Sequence, residues 1–298
     1  MTGEQHDFFR AQLEECTLCP RRCGVNRLKG EAGFCKAGTT VKVASYCLHT
    51  GEEPPISGRS GSGTIFFARC NMACVYCQNY PISQLGHGNE VTRERLTAMM
   101  LDLRRRGAHN INLVTPTHFL PGIAEAVISA RRQGLEIPIV YNSSGYESTE
   151  TIEMLKGIVQ VYLVDMRYSN AQSALKYSDS PDYPYHNRLA VKRMLDQVGP
   201  LECTGGLATH GVIIRHLLLP SLMSETRETL DFISKMFGPD VPVSLMSQYF
   251  PANRAHIFPE INRKISTREY NEAVNLLELR GIGNGWIQDP DSAGGPVA

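Results

Sequence analysis

"TIFFARCNMACVYCQN", residues 64–79, joins an apolar run of β-branched and aromatic residues to three cysteines spaced C-x3-C-x2-C, and its reading decides the fold. Residues 64–68 have the composition of a buried strand, so Cys70, Cys74 and Cys77 belong to the loop leaving its carboxyl end. Five more short apolar runs follow at 110–114, 137–141, 159–165, 211–219 and 241–246. Amphipathic stretches at 93–107, 121–134, 148–157, 186–199 and 224–238 separate them, with Ser148 and Ser224 placed as N-caps and Gly107, Gly134 and Gly157 as stops. Six strand–helix repeats specify an α/β fold with a parallel sheet, either doubly wound or curled into a barrel. In both, ligands bind beyond the carboxyl ends of the strands, which directs attention to the polar residues after each strand.

The chain of 298 residues carries 30 acidic and 30 basic side chains with a pI near 7.1, which gives no general electrostatic reason to expect nucleic acid or an anionic membrane as partner. The polar start MTGEQHDFFRAQLEE lacks the apolar core of a signal peptide, and no apolar run is long enough to cross a bilayer, so a cytoplasmic protein is expected. In that reducing compartment nine cysteines are not disulfide staples, and clustered thiols read as metal ligands or redox groups. Seven of them cluster at 16–35 and 70–77, whereas Cys47 and Cys203 stand alone. Residues 1–60, rich in Cys, Gly and charge, are expected to form a small metal-binding module, with turn and loop at 51–63. Residues 61–290 form the main domain in this reading, and 291–298 a flexible tail.

Three thiols this close need a metal to justify them. A closed zinc site takes four ligands and would have to borrow a distant His87 or His118. An iron–sulfur cluster can be held by three cysteines, which leaves one iron open for chemistry.

With Tyr76 as the aromatic, C-x3-C-x-aromatic-C after the first of six strands resembles the radical S-adenosylmethionine (SAM) superfamily. Within it the chain is similar to the pyruvate formate-lyase activating enzyme and its relatives, through GEEPPISG, NLVTPTHF, YNSSGYE, LVDMRYS, IIRHLLLP and MSQYFP. The resemblance implies a partial (β/α)6 barrel of radical SAM type and a [4Fe-4S] cluster on Cys70, Cys74 and Cys77 whose open iron is chelated by SAM. One-electron cleavage of SAM then gives a 5'-deoxyadenosyl radical that abstracts hydrogen. It further implies an electron donor such as flavodoxin or ferredoxin and, for activases, a backbone glycine of a partner protein as substrate. Around the cofactor it places Tyr76, Asn142 and Ser143, then Asp165 and Arg167 at the family's Asp-x-Lys positions, and Arg215 in the fifth strand. Thr115 and Thr117 stand where relatives carry a glycine-rich turn and would offer hydroxyl acceptors to the SAM ammonium group; Arg69 replaces a common glycine.

Gln78 and Asn79 either end the cysteine loop or hydrogen-bond the cofactor, and His118, Gln248 and Tyr249 either face the substrate or pack. At the N-terminus, CTLCPRRCGVNRLKGEAGFC (16–35) sets Cys16, Cys19, Cys23 and Cys35 in the spacing C-x2-C-x3-C-x11-C, enough to close a zinc site or a second iron–sulfur cluster. Two classes of function follow: a radical enzyme acting on a polypeptide or a small molecule, or a non-catalytic iron–sulfur or zinc protein that carries electrons or serves as an assembly scaffold.

Overall fold

A computed structural model describes residues 1–288; the expected tail at 291–298 lies outside the described residues. The strands are β1 (Val41–His49), β2 (Ser62–Phe67), β3 (Asn89–Val91), β4 (Ile111–Val114), β5 (Ile139–Ser143), β6 (Val161–Asp165), β7 (Glu202–Thr204), β8 (Leu207–Leu217), β9 (Val243–Met246) and β10 (Gly285–Ile287). They form one sheet in the order β3-β1-β2-β4-β5-β6-β8-β9-β10, with β7 paired to β8. The six strands read from the sequence, β2, β4, β5, β6, β8 and β9, are mutually parallel, and β10 extends the parallel run. On the other edge β1 and β3 add antiparallel pairings.

Alternate strand residues point to opposite faces, and the two faces have different fates. Ile65, Phe67, Ile111, Leu113, Ile139, Tyr141, Tyr162, Val164, Val212 and Ile214 pack against helices Arg93–Arg105, Leu120–Arg132, Tyr183–Val198 and Met223–Phe237 through residues such as Leu96, Ile123, Val191 and Leu230. On the opposite face Val140, Val161, Leu163 and Ile213 close over Ile56. A doubly wound sheet carries helices on both faces. Here the helices between strands cover a single face and β3 and β10 end the strand order unjoined, so the architecture is an open, partial (β/α)6 barrel.

The segment read as loop at 51–63 contributes the short helix Pro54–Ser57, which carries the fully buried Ile56 into the barrel floor. The N-terminal helix Gly3–Glu14 joins the main core through Phe9, and Gln5 Nε2 donates to the carbonyls of Met154 and Lys156. Gly107, Gly134 and Gly157 take positive φ after their helices as expected. Ser224 does not cap: the helix begins at Met223 with Leu222 at the N-cap position. Ser148 holds the cap position, but its hydroxyl donates to Leu18 O and so ties the N-terminal segment to the barrel. No helix among the described residues is long and apolar enough to cross a membrane.

Candidate active site

A cleft of about 460 Å³ opens at the carboxyl ends of the parallel strands. Its lining includes Tyr76 and Cys77 from the cysteine loop, Asn142 from the end of β5, Asp165 from the end of β6, Arg167 just beyond it, and Arg215 from β8. Cross-strand register explains the convergence, since Asp165 and Arg215 are direct partners on β6 and β8.

These side chains form one continuous ladder of opposite charges. Arg215 donates from Nε to Asp165 Oδ1 at 2.8 Å, from Nη2 to Asn142 Oδ1 at 2.6 Å and from Nη1 to Glu52 Oε2 at 3.3 Å. The other oxygen of Asp165 accepts two bonds from Arg167, at 2.6 and 3.1 Å. Arg167 in turn donates from Nη1 to Cys74 Sγ at 3.0 Å. Burial alone would raise the pKa of Asp165, but the guanidiniums of Arg215 and Arg167 outweigh it and hold the carboxyl below its usual range. Burial lifts Glu52 to about 7 in spite of Arg215. The pair of Asp165 and Arg167 is therefore an interior device and not a solvated surface bridge.

The cysteine loop is fixed by its neighbours. The amides of Ala73 and Val75 donate to the carbonyls of Ser178 and Tyr177, at the end of the helix Ala171–Ser178. Cys74 Sγ also accepts from Ser178 Oγ at 3.0 Å. Because that hydroxyl has one proton, Tyr168 OH must donate to Ser178, and Tyr76 OH to Tyr168, giving a directed chain that ends on sulfur. Met72 N donates to Cys70 Sγ and Ser83 Oγ lies 3.2 Å from Cys77 Sγ. Burial, reinforced by Cys74 and Cys77, pushes the Cys70 thiol up to about 12. The donor set suits an anionic sulfur-ligated group: donors reach all three sulfurs, and a buried cation touches one of them.

Two departures from the family pattern take a common backbone form. Arg69 and Thr115 are both non-glycine residues at positive φ, 74° and 57°. The guanidinium of Arg69 lies against Gly86, where any Cβ would collide with it. Gly145, after β5, is likewise obligatory, since a Cβ would run into Asn187 Nδ2 and Asp165 O.

Some expected residues are not brought to the cleft. Thr117 donates to Glu147 Oε1 at 2.8 Å inside the protein, so its hydroxyl is not available to an ammonium group. Ser143 is buried, one residue out of phase with Asn142, and accepts from Gly145 N. Thr115 follows the cleft residue Val114 and donates its amide to Asn142 O, but its side chain is not among the lining groups. His118 is buried, binds Ala68 O and borders the N-terminal cysteines instead. His87 is exposed. Tyr249 packs edge-on against Tyr76 and donates to Ile261 O, whereas Gln78, Asn79 and Gln248 do line the cleft. Glu52, Tyr168 and Ser178 were not singled out in the sequence. Glu52 alone left a signal there, a carboxylate in the Gly- and Pro-rich stretch GEEPPISG.

The family model described as "Radical SAM superfamily" matches residues 64–233, from β2 into the helix Met223–Phe237. The chain belongs to the radical SAM superfamily. The family implies a [4Fe-4S] cluster and SAM as cofactors, and an enzyme. Among curated relatives, the uncharacterized protein MJ0674 of Methanocaldococcus jannaschii is 32% identical over 89% of this chain and 75% of its own length. A second from the same organism, MJ0808, is 24% identical over 47% of this chain and 46% of itself. Among solved structures, the FeFe-hydrogenase maturase HydG from Carboxydothermus hydrogenoformans superposes with a TM-score of 0.53 at 20% identity, covering 74% of this chain and 52% of that one. Native anSMEcpe with bound AdoMet gives 0.50 at 11% identity, covering 79% and 62%. The chain thus spans less than two thirds of these solved radical SAM proteins, and at such identities the likeness is one of fold.

Proposed function

We propose that this radical SAM protein binds a [4Fe-4S] cluster through Cys70, Cys74 and Cys77 and SAM in the adjoining cleft, and uses them to abstract hydrogen from a polypeptide. The observation that carries the reading is the ladder Glu52, Arg215, Asp165, Arg167, which forms one wall of the cleft and ends on Cys74 Sγ. When bound, the cluster and SAM supply one-electron cleavage of the sulfonium and so the 5'-deoxyadenosyl radical. The protein's own task is to hold charge in place. Arg167 and Ser178 donate to Cys74 Sγ, and Asp165, clamped between two guanidiniums, stays ionised. Asn142 and Arg215 fix each other, so a zwitterionic ligand meets groups that need no rearrangement. Tyr76 lies beside them in the cleft lining.

The mouth favours a peptide. Gln78, Asn79, Gln248 and Gln288 line the cleft with neutral carboxamides, of which Gln78 donates to Gln248 O and Gln288 to Gln248 Oε1, so a peptide backbone would exchange with these bonds without demanding a charge. The electron is assigned to a flavodoxin or ferredoxin as donor. Anaerobically reconstituted protein is expected to release 5'-deoxyadenosine and methionine from SAM with a strong reductant, and Cys74→Ala to lose this release. Full activity in that variant rules the mechanism out.

A further inference from the structure

The N-terminal cysteines, 35 or more residues before the active-site loop, converge. Cys16, Cys19, Cys23 and Cys35 line a single pocket, together with Arg21, Arg27, Asn71 and His118. All four are free thiols.

Two buried groups around them lack the partners that buried polar groups require. Arg27 is 4% exposed and permanently charged, yet among the described residues it forms no ion pair with a carboxylate. Its Nη2 donates instead to Cys16 Sγ at 2.9 Å, its Nη1 to His118 O at 2.5 Å, and its Nε has no acceptor. His118 is 2% exposed; its Nε2 donates to Ala68 O, so its Nδ1 is an acceptor without a donor and adds no positive charge to the pocket. Arg21, the second guanidinium at the pocket, also has no carboxylate partner among the described residues and stacks 3.6 Å from the Phe34 ring centroid. A thiol-lined pocket flanked by two guanidiniums without carboxylate partners suits an anionic guest.

We infer that Cys16, Cys19, Cys23 and Cys35 ligate a second iron–sulfur cluster, with Arg27 balancing its charge. Zinc would fill the same four thiols, so the test below reads sulfide as well as metal.

The second site is joined to the first. Asn71, next in the chain to the ligand-loop residue Cys70, lines the N-terminal pocket. Arg21 donates from Nε to Asn71 O at 3.1 Å and from Nη2 to Ser180 Oγ at 2.7 Å. Ser180 Oγ donates onward to Ser178 O, and the Ser178 hydroxyl reaches Cys74. The inference stands on these residues whether or not the cleft binds SAM.

The test is metal content with spectroscopy, independent of turnover. After anaerobic reconstitution, a Cys70→Ala/Cys74→Ala/Cys77→Ala variant is expected to retain roughly four iron and four acid-labile sulfide per chain if the cluster is a cubane. The intact protein should hold about twice as much, and Cys19→Ala/Cys35→Ala should bring it down to the single-cluster level, so a misfolded triple variant does not leave the question open. Arg27→Met should shift the reduction potential of the cluster in the triple variant to a more negative value, because a buried positive charge beside Cys16 is lost. Zinc without sulfide, metal-free thiols in a folded chain, or an intact protein with iron for one cluster only would each overturn the inference.

Discussion

Glu147 is fully buried, and hydroxyls rather than a cation surround it: Thr117 and Tyr141 donate to its two oxygens. Burial pushes its pKa up to about 7 against those hydrogen bonds. The folded value lies above the unfolded one of 4.5, so the folded state binds the proton more tightly. Its stabilising contribution is complete below pH 4.5 and is lost as pH rises through 7, by about 3 kcal/mol in all. Glu147→Gln, which mimics the protonated acid, should match the parent at pH 4 and exceed it by about that amount at pH 8.5, read from urea midpoints at the two values. An equal deficit at both would contradict it. None of this was legible beforehand. The sequence pattern marks Thr117 and Glu147 as polar residues near strand ends, but which face they turn to depends on the phase of the chain after the strand, and both turn inward. Asp165, Arg167 and Arg215 were singled out through the family resemblance of the stretches that carry them, and the structure places all three in the cleft lining.

The helix Pro54–Ser57 illustrates the same limit in an element. Four residues with two prolines have no helical period to read, and a Gly- and Pro-rich stretch looks like loop. The long strands and helices were readable because burial imposes period on them. The strand Val41–His49 escaped, being an antiparallel addition with incomplete alternation, and the three-residue edge strands offered too little pattern. Yet the short helix sets the floor of the site: Ile56 is fully buried against Val140, Val161, Leu163 and Ile213, and four residues before it Glu52 reaches Arg215. Ile56→Ala should cost about 2–5 kcal/mol through lost burial and the cavity left behind. Leu28→Ala, at a site 58% exposed, should cost under about 0.5 kcal/mol and serves as the control. Equal urea midpoints for the two variants would show that the floor is not carried by this residue.

At the scale of the molecule the decisive property is that the barrel does not close. Among the described residues the strand order runs from β3 to β10 with no pairing between them, and the cleft is lined by His49 from β1 and by Gln248 and Gln288 beyond β9 and β10. A closed eight-stranded barrel would fill its interior with side chains. Here a lateral opening leads to a polar layer of Asn142, Asp165 and Arg215. On the proposed reading an extended segment of a larger molecule would enter this opening, and a polypeptide is the expected substrate. The N-terminal cysteine pocket is separate from this cleft: it is bordered by Asn71 and His118, neither of which lines the cleft. Reduced enzyme with SAM, incubated with deuterated cell extract separated by size, should acquire deuterium in 5'-deoxyadenosine from the macromolecular fraction, with the transfer abolished by protease treatment of that fraction. Label arising solely from the low-mass fraction would assign the cleft to a small molecule and end the polypeptide reading, while leaving SAM cleavage itself intact.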